Sequence, residues 1–530
     1  MASIRFFDAV VLVVYFGGVT FAGIWFARRN KSTEDYFLGG RNFPGWAIGL
    51  SMVGTSISSL TFMAYPGDAY RTTWFRLLPC FTLPLGVLIA SIWFLPFFRR
   101  GNLTSAYEYL EGRFGPGTRV YASCIAIIGQ VFRVGSILFL LSLLVRELTG
   151  LDIRICIIIG GLFVSFYTVA GGIEAVVWTD VVQTVVLVFG GLACLAWIIR
   201  DLPDGFGQIL TTAFEANKFR FTDANITPDG TLELLETNWS ITLMRRSGSM
   251  LLFLGLTGWL SEYSCNQNVI QRYCASKTPR EARKAMWMCC CFSVPIWTYF
   301  MFLGTAMYVF FKAHPDEKAF AILTGADGAA AEQILPYFVL QYLPVGLSGL
   351  VVAAVLAAAM SSLDSSINAI ATLSVVDIYR RHLVKNKSDA HYLRAARYIA
   401  IVASALMIGV ALWYNTLEIK TFQDMGFILA ALMGGGIFGL FMLGFLTTWG
   451  DGRAVGFGIA ATTLYTLWMI AKKFELLPPG TFPDTDEYYT GFIANVVMFL
   501  VGFFVGGLLM RKKRDLTNLT VWTQDNTPLV

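Results

Sequence analysis

Polar residues with the chemistry to bind small ions recur inside long apolar segments of this 530-residue chain. One group lies in GLSMVGTSISSLTFMAYPGDAY, in which glycine and hydroxyl side chains fill most of residues 54–59. Such a stretch can unwind, which frees backbone carbonyl groups to bind a cation and turns the N-terminus of a half-helix towards an anion. Tight helix packing through small residues is the other interpretation of this pattern.

Oxygen-bearing side chains form a second group in AAVLAAAMSSLDSSINAIATLSVVDIY, a segment that is otherwise mostly apolar. Its members are Ser361, Ser362, Asp364, Ser365 and Asn368. Hydroxyl and carboxylate oxygens at this spacing suit a small hard cation, which takes oxygen ligands. Packing alone would explain the serines, but the carboxyl group of Asp364 among them favours a cation site.

An acid and a base stand inside two other apolar segments. Asp180 follows the glycine-containing turn TVAGGIEAVVWTD and lies less than two turns into its segment, where it either reaches the membrane surface or binds a cation. Arg133 lies in GQVFRVGSILFL, where a guanidinium costs several kcal/mol unless a carboxylate or a water-filled cavity receives it. Arg133 is therefore either a structural partner of an intramembrane acid or a bidentate ligand for the carboxylate of a substrate.

The composition places these residues in a membrane. The chain is 56% hydrophobic and 14% charged, whereas soluble domains average about 25% charged residues. Apolar runs of about 20 residues recur from end to end, and each is long enough to cross the hydrocarbon layer. Because backbone groups in lipid must be satisfied within their own segment, these runs are predicted to be helices.

Thirteen membrane-spanning helices are predicted from hydropathy. They cover residues 6–27, 45–67, 74–98, 120–145, 153–172, 176–199, 247–269, 286–311, 341–378, 395–414, 421–447, 455–471 and 489–510. The loops 200–246 and 313–335 are predicted to form lids or short surface helices.

The distribution of basic residues predicts the orientation. With the N-terminus outside, 24 of the 40 Lys and Arg residues fall on the cytoplasmic side, including five at 272–284. The external side collects 14, of which five lie in the long loop 200–246, where the rule does not apply. We therefore expect an external N-terminus and a cytoplasmic C-terminus. No GxxxxGK[ST] phosphate-binding loop is present in the sequence, so ATP-driven pumping by this chain is not expected, and no nucleophile–base pair indicates an enzyme.

Four motifs in this order resemble the sodium:solute symporter family. They are DYFLGGR at 35–41, GGIEAVVWTD at 171–180, NQNVIQRY at 266–273 and AAMSSLDSSIN at 358–368. The segments SISSLTFMAYPGDAY at 56–70 and SAYEYLEGRF at 105–114, together with Arg133, are more similar to the bacterial sialic acid transporter branch than to the sodium/glucose cotransporters.

The resemblance implies an all-α membrane protein with a LeuT-type bundle of two inverted five-helix repeats. The implied organisation is an N-terminal accessory helix and inner loop at 1–44, a first repeat at 45–200, an external loop at 201–246, a second repeat at 247–450, two accessory helices at 451–510 and a cytoplasmic tail at 511–530.

The resemblance also implies two sodium sites and a solute site. The first sodium would be bound by carbonyl groups of Gly54, Ile57 and Ala358 and by the hydroxyl groups of Ser361 and Ser362. The second would lie near Asp180, Ser361, Asp364 and Ser365. The implied solute-binding residues are Ser56, Ser58, Thr61, Arg76, Cys80, Arg133 and Asn266.

We therefore expect a sodium-coupled symporter in the cell membrane that imports sialic acid or a related sugar acid by alternating access. Arg133 and Arg76 favour a carboxylate over a neutral hexose. The alternative is a sodium/sugar or sodium/polyol symporter with a structural Arg133, and a more distant one is a membrane sensor or sodium leak channel on the same scaffold. Sodium, the solute and the lipid bilayer are the expected partners of a monomeric protein, with no role for nucleic acid.

Overall fold

The computed structural model describes residues 5–27, 31–100, 103–236, 239–243, 247–326, 330–416, 435–473, 476, 486–509 and 515–524. In this part of the chain, helices account for almost all regular structure. The first half contains α1 (Phe6–Ala27), α2 (Thr33–Leu38), α3 (Gly45–Ser56), α4 (Ser59–Arg71), α5 (Leu83–Ile89), α6 (Leu95–Arg100), α7 (Glu108–Phe114), α8 (Pro116–Thr149), α9 (Ile153–Asp201) and α10 (Gly205–Glu215).

The second half contains α11 (Gly248–Cys265), α12 (Gln267–Ala275), α13 (Pro279–Ala313), α14 (Glu317–Thr324), α15 (Ile334–Tyr342), α16 (Leu347–Thr372), α17 (Asp389–Thr416), α18 (Ile437–Leu446), α19 (Gly452–Lys473) and α20 (Thr490–Leu509). A 3₁₀ segment at Trp74–Thr82 precedes α5, a π-helical segment at Ala90–Phe94 joins α5 to α6, and α16 continues as a π-helix at Leu373–Leu383. The strands β1 (Ala224–Ile226) and β2 (Leu232–Leu234) form an antiparallel hairpin that the sequence analysis did not predict.

Nine helices of the described residues are long and apolar enough to cross a membrane, or ten if the bent pair α3–α4 counts as one span. Most of the predicted spans correspond to these helices. The predicted span 247–269 is divided in two at Asn266, and most of the predicted span 421–447 lies outside the described residues. The count of thirteen therefore stays a prediction.

The predicted spans 153–172 and 176–199 form one run of helix that turns at Gly172. The run has 49 residues, so as a straight helix it would be about 73 Å long, more than twice the thickness of the hydrocarbon layer. Gly172 has φ 56° and ψ −159°, a conformation open to glycine and strained for other residues. A Cβ at Gly172 would also come within 2.7 Å of the Tyr36 carbonyl oxygen, so the turn packs directly on α2.

The hydroxyl-rich stretch between α3 and α4 is broken, as the sequence predicts. α3 ends at Ser56, Ile57 is extended with φ −102° and ψ 91°, and α4 begins two residues later. The two halves are bent by 54° relative to each other. The Ile57 amide still donates to the Val53 carbonyl at 3.0 Å and the Ser58 carbonyl still accepts from the Phe62 amide at 3.1 Å, so the break interrupts the helix over only a few residues.

α16 lies at the centre of the bundle. In its most apolar stretch 94% of the residues are buried, against 17% for α1, which presents its valine and phenylalanine side chains outward. α16 packs against α9, α8, α1 and α17. Its serine and aspartate side chains are therefore held in the protein interior and not against lipid.

The C-terminal end of α4 is attached to the loop 200–246 by Lys218, which is fully buried. Its Nζ donates hydrogen bonds to the carbonyl groups of Tyr70 at 2.7 Å and Thr72 at 3.2 Å, and it lies 4.0 Å from the centre of the Tyr308 ring. A cation at this position is favoured by the dipole of α4, whose C-terminus is partly negative. Burial lowers the pKa of Lys218 to about 7.

A buried carboxylate joins three elements at one end of the bundle. Asp377, in the π-helical extension of α16, accepts a hydrogen bond from Nε of Arg119 on α8 at 2.8 Å. It also accepts hydrogen bonds from Ser105 at 2.6 Å and Ser123 at 2.7 Å. Arg119 in turn contacts Glu111 of α7 at 2.7 Å. This network fixes α7 and α8 to the C-terminal end of α16.

Candidate functional site

Asp180 occupies the middle of a buried polar cluster between α3, α9, α12 and α16. Its carboxylate accepts hydrogen bonds from Ser51 of α3 and Ser361 of α16, each at 2.5 Å, and from Arg272 of α12 at 2.8 Å. All four side chains are buried. Of the two interpretations from sequence, the structure therefore excludes the one in which Asp180 reaches the membrane surface.

Arg272 corrects the sequence analysis, which assigned this residue to a basic cytoplasmic loop. It is only 1% exposed. Its Nε donates to Ser51 at 2.8 Å, and its Nη2 lies 2.8 Å from Thr55 Oγ1 and 2.7 Å from Ser365 Oγ. The available signal was its position in NQNVIQRY, six residues after a helix break, but the carboxylate that receives it is 92 residues away along the chain.

Asp364 is the second acid of the cluster. Its carboxylate accepts hydrogen bonds from the Tyr167 hydroxyl at 3.2 Å and from the Ser365 amide at 2.6 Å. Asp364 is fully buried, and among the described residues its carboxylate forms no ion pair. With both carboxyl groups ionised, the two acids and one guanidinium give the cluster one excess negative charge. A cation that binds between Asp180 and Asp364 would balance it.

The residues predicted for the first sodium site lie around the break after α3. A Cβ added at Gly54 would lie 3.1 Å from Ser361 Oγ, so α3 and α16 approach closely here. Ile57 is the extended residue of the break, and the Ser362 hydroxyl donates to the Ala358 carbonyl at 3.5 Å. These groups supply the carbonyl and hydroxyl oxygens that a small hard cation prefers.

Three residues predicted to bind the solute lie at or just after the same break. Ser58 is the N-cap residue of α4, but its side chain forms no capping hydrogen bond, so its hydroxyl group is available to a ligand. Thr61 follows one turn later on the same face of α4. Ser56 Oγ lies 3.9 Å from the Cys289 sulfur on α13. The break therefore presents hydroxyl groups beside the N-terminus of α4, a position that favours an anion.

Arg133 lies near the middle of α8, and its side chain is half-buried. No ion pair or side-chain hydrogen bond joins its guanidinium to any residue that the structure describes. The structural interpretation requires an intramembrane acid as its partner, and both acids of the central cluster bind other groups. This observation favours the second interpretation, in which the guanidinium receives a solute carboxylate.

The other predicted solute ligands, Arg76, Cys80 and Asn266, already contact protein groups. Arg76 is paired with Asp68 of α4 at 3.1 Å, and its side chain is 56% exposed. The Cys80 sulfur lies 3.2 Å from the Tyr65 hydroxyl. Arg76 thus lies at the surface in an ion pair, which makes it a poorer candidate for the solute carboxylate than Arg133.

Asn266 is the N-cap residue of α12 and marks a second helix break. Its Oδ1 accepts a hydrogen bond from the Asn268 amide at 2.9 Å, and its Nδ2 donates to Glu262 at 2.8 Å. Each half of the chain thus contains a broken helix within its described residues, at Ile57 and at Asn266. Interrupted helices in corresponding halves are the usual location of the binding site in inverted-repeat transporters.

Comparisons with known proteins identify the family of the chain. A model of the sodium:solute symporter family matches residues 36–447. The chain is 31% identical to the sodium/sialic acid symporter SiaT of Proteus mirabilis, over 96% of both chains. It is 30% identical to the sodium/sialic acid symporter NanT of Aliivibrio fischeri, over 93% of this chain and 92% of the relative. The human sodium-coupled monocarboxylate transporter 1 is 27% identical over 87% of this chain and 73% of its own length.

Two solved structures support the fold. A Na⁺-coupled sialic acid symporter in a substrate-bound, outward-open state superposes with a TM-score of 0.84 at 28% identity, over 96% of this chain and 99% of the other. The nucleobase-cation symporter Mhp1 in a closed conformation superposes with a TM-score of 0.51 at 15% identity, over 91% of this chain and 97% of the other. The second likeness concerns the fold alone, and it agrees with the predicted LeuT-type bundle.

Proposed function

Because the chain belongs to the sodium:solute symporter family, it couples solute transport to sodium by alternating access, and we propose that its solute is sialic acid or a related sugar acid. The observation that carries this proposal is the guanidinium of Arg133, which has no protein partner among the described residues. A planar guanidinium binds a carboxylate through two parallel hydrogen bonds. The hydroxyl groups of Ser58 and Thr61 would complete the carboxylate site. The similarity to the sialic acid symporters SiaT and NanT supports this choice.

The two predicted sodium sites share Ser361. The first consists of the Gly54, Ile57 and Ala358 carbonyl groups with the Ser361 and Ser362 hydroxyl groups. The second adds Asp180, Asp364 and Ser365, whose excess negative charge favours a cation. With both sites occupied, two sodium ions would accompany each solute molecule. Each elementary charge moved across the membrane is worth about 2.3 kcal/mol per 100 mV, so a second ion would steepen accumulation.

The predicted topology fits this function. The N-terminus would lie outside and the C-terminus in the cytoplasm, which agrees with the basic residues of the cytoplasmic loops even after Arg272 is removed from that count. The repeats 45–200 and 247–450 would each begin with a broken helix. Such a pair would bind the solute and sodium near the middle of the membrane.

The test is binding of N-acetylneuraminate to the purified protein by calorimetry, with and without sodium. The Arg133→Ala variant should bind at least a hundredfold more weakly, because losing one partner of a desolvated charge pair costs about 3–5 kcal/mol. Arg146→Ala is the matched control, since it removes an exposed guanidinium at the end of the same helix. Unchanged affinity in Arg133→Ala would mean that the sugar-acid proposal is wrong.

A further inference from the structure

Glu262 is an acid of α11 that the site described so far does not use. It lies 14 residues after the start of α11, which is about 21 Å along the helix, and one turn before the break at Asn266. Its side chain is half-buried. Among the described residues, its only hydrogen bond comes from Asn266 Nδ2, and no cation pairs with it. An acid inside a membrane protein is costly, so its partner must be found.

Two contacts place Glu262 beside the solute-binding residues. Its carboxylate is bonded directly to Asn266, the N-cap residue of the second break. Asn266 caps α12, which packs against α3, the helix that ends at the first break. The carboxylate therefore lies at the second break, beside a helix that contacts the first. This is the region in which inverted-repeat transporters hold their solutes.

The hydrogen-bonding capacity of Glu262 identifies what is missing. An ionised carboxylate only accepts hydrogen bonds and has about four lone-pair positions. Asn266 uses one of them. The others need hydroxyl, amide N–H or ammonium donors, and a half-buried carboxylate has limited access to water for this purpose. Arg133 has the opposite property, because a guanidinium only donates.

A solute that satisfies both residues carries a carboxylate at one end and hydrogen-bond donors at the other. Sugar acids have this pattern, because hydroxyl and amide N–H groups surround the ring. Simple monocarboxylates such as pyruvate have the carboxylate alone, and they would leave Glu262 without donors. A site built to bond a polar group rejects the analogue that lacks it, because the protein group is left unpaired.

We propose that Glu262 is a specificity-determining residue that accepts hydrogen bonds from the hydroxyl or amide N–H groups of the solute bound at Arg133. This inference rests on the proposed function, since it assumes a sugar acid in that site. Glu262 then separates sugar acids from small monocarboxylates. Removing the carboxylate would remove hydrogen bonds to a charged group. We therefore expect the solute to bind about 10- to 100-fold more weakly without it.

The experiment measures the dissociation constant of N-acetylneuraminate by calorimetry on the full-length protein in saturating sodium. Glu262→Ala should bind 10- to 100-fold more weakly, and Glu262→Gln, which keeps one acceptor, should lose less. Competition by pyruvate should be unchanged or stronger in both variants. Ser261→Ala, a neighbouring change on the same helix, is the matched control and should bind as wild type does.

A second measurement separates specificity from structure. Stabilisation of the protein by sodium alone should be the same in Glu262→Gln and wild type, because the proposed sodium ligands are untouched. If sodium stabilisation is lost, Glu262 has a structural role and the inference is wrong. If wild type binds no sugar acid, the proposed function itself is wrong. If wild type binds the sugar acid and both Glu262 variants bind it with the same affinity as wild type, only the inference is wrong.

Discussion

The ion pair between Arg272 and Asp180 offers the sharpest test of the central cluster. We expect Arg272→Gln to destabilise the protein strongly in sodium-free solution and less strongly when sodium is present. The guanidinium is buried and lies within hydrogen-bond distance of Asp180, Ser51 and Ser365. Its removal leaves Asp180 and Asp364 as two buried carboxylates without a protein cation among the described residues.

The magnitude follows from the burial of the pair. Both side chains are at most 2% exposed, and removing one partner of a buried pair typically costs about 3–5 kcal/mol. The variant cluster has two excess negative charges where wild type has one. A sodium ion should therefore bind the variant more tightly, and each tenfold gain in affinity recovers about 1.4 kcal/mol.

The assay measures the free energy of unfolding by titration with a denaturing detergent, repeated over a range of sodium concentrations. Potassium at equal ionic strength controls for screening. A double-mutant cycle with Asp180→Asn isolates the pair. The double variant should lose less than the sum of the single losses, because neither change then leaves an unpaired buried charge.

Arg113→Gln is the matched control for loss of a buried arginine. Arg113 is also 1% exposed, but its guanidinium donates to the carbonyl groups of Thr447, Trp449 and Gly450, away from the central cluster. The decrease in unfolding free energy caused by Arg113→Gln should be the same at every sodium concentration. The reasoning would be refuted if sodium rescued both variants equally, or if the Arg272 and Asp180 losses were additive.

Three further predictions follow from the described geometry. Ser361→Ala and Ser362→Ala should each raise the sodium concentration for half-maximal uptake, because each removes one oxygen ligand without changing the charge. The effect on solute affinity at saturating sodium should be smaller. If the sodium dependence of uptake is identical to wild type in both variants, the first sodium site is wrong. Asp180→Asn should lower the coupling ratio from two sodium ions to one, measured as the reversal potential in proteoliposomes, and a wild-type ratio of one would contradict the second site. Lys218 should make stability rise with pH above 7, because the folded protein releases its proton near pH 7 while the unfolded chain keeps it to about pH 10.5. Lys218→Met should remove up to about 2–3 kcal/mol of the rise in unfolding free energy between pH 7 and 9, and equal slopes in both proteins would show that burial does not shift this lysine.

The membrane-embedded helical fold could be read from local sequence, because it depends on properties of each segment alone. Long apolar runs must become helices in lipid, since no water is present to satisfy their backbone groups. The break at Ile57 follows from glycine and hydroxyl residues within one span, and it is confirmed. The family was recognised from motifs that each cover a few consecutive residues, and it is confirmed.

The partners of the charged residues could not be read in this way. Arg272 looked like one of several cytoplasmic basic residues until the packing of α12 against α3 and α9 brought it to Asp180. Arg76 looked like a solute ligand until the geometry paired it with Asp68. The sequence predicted no role for Glu262, because no motif of its own helix includes it.

The sequence by itself thus determined that the chain is a bundle of apolar helices and which family it belongs to, and it indicated the interruptions at Ile57 and Gly172. Only the tertiary structure decided that Asp180 is bound to Arg272 and that Arg133 has no protein partner among the described residues. The physical reason is range. Hydropathy and backbone satisfaction act within one segment, whereas the cost of a buried charge is met by side chains from helices that are distant along the chain.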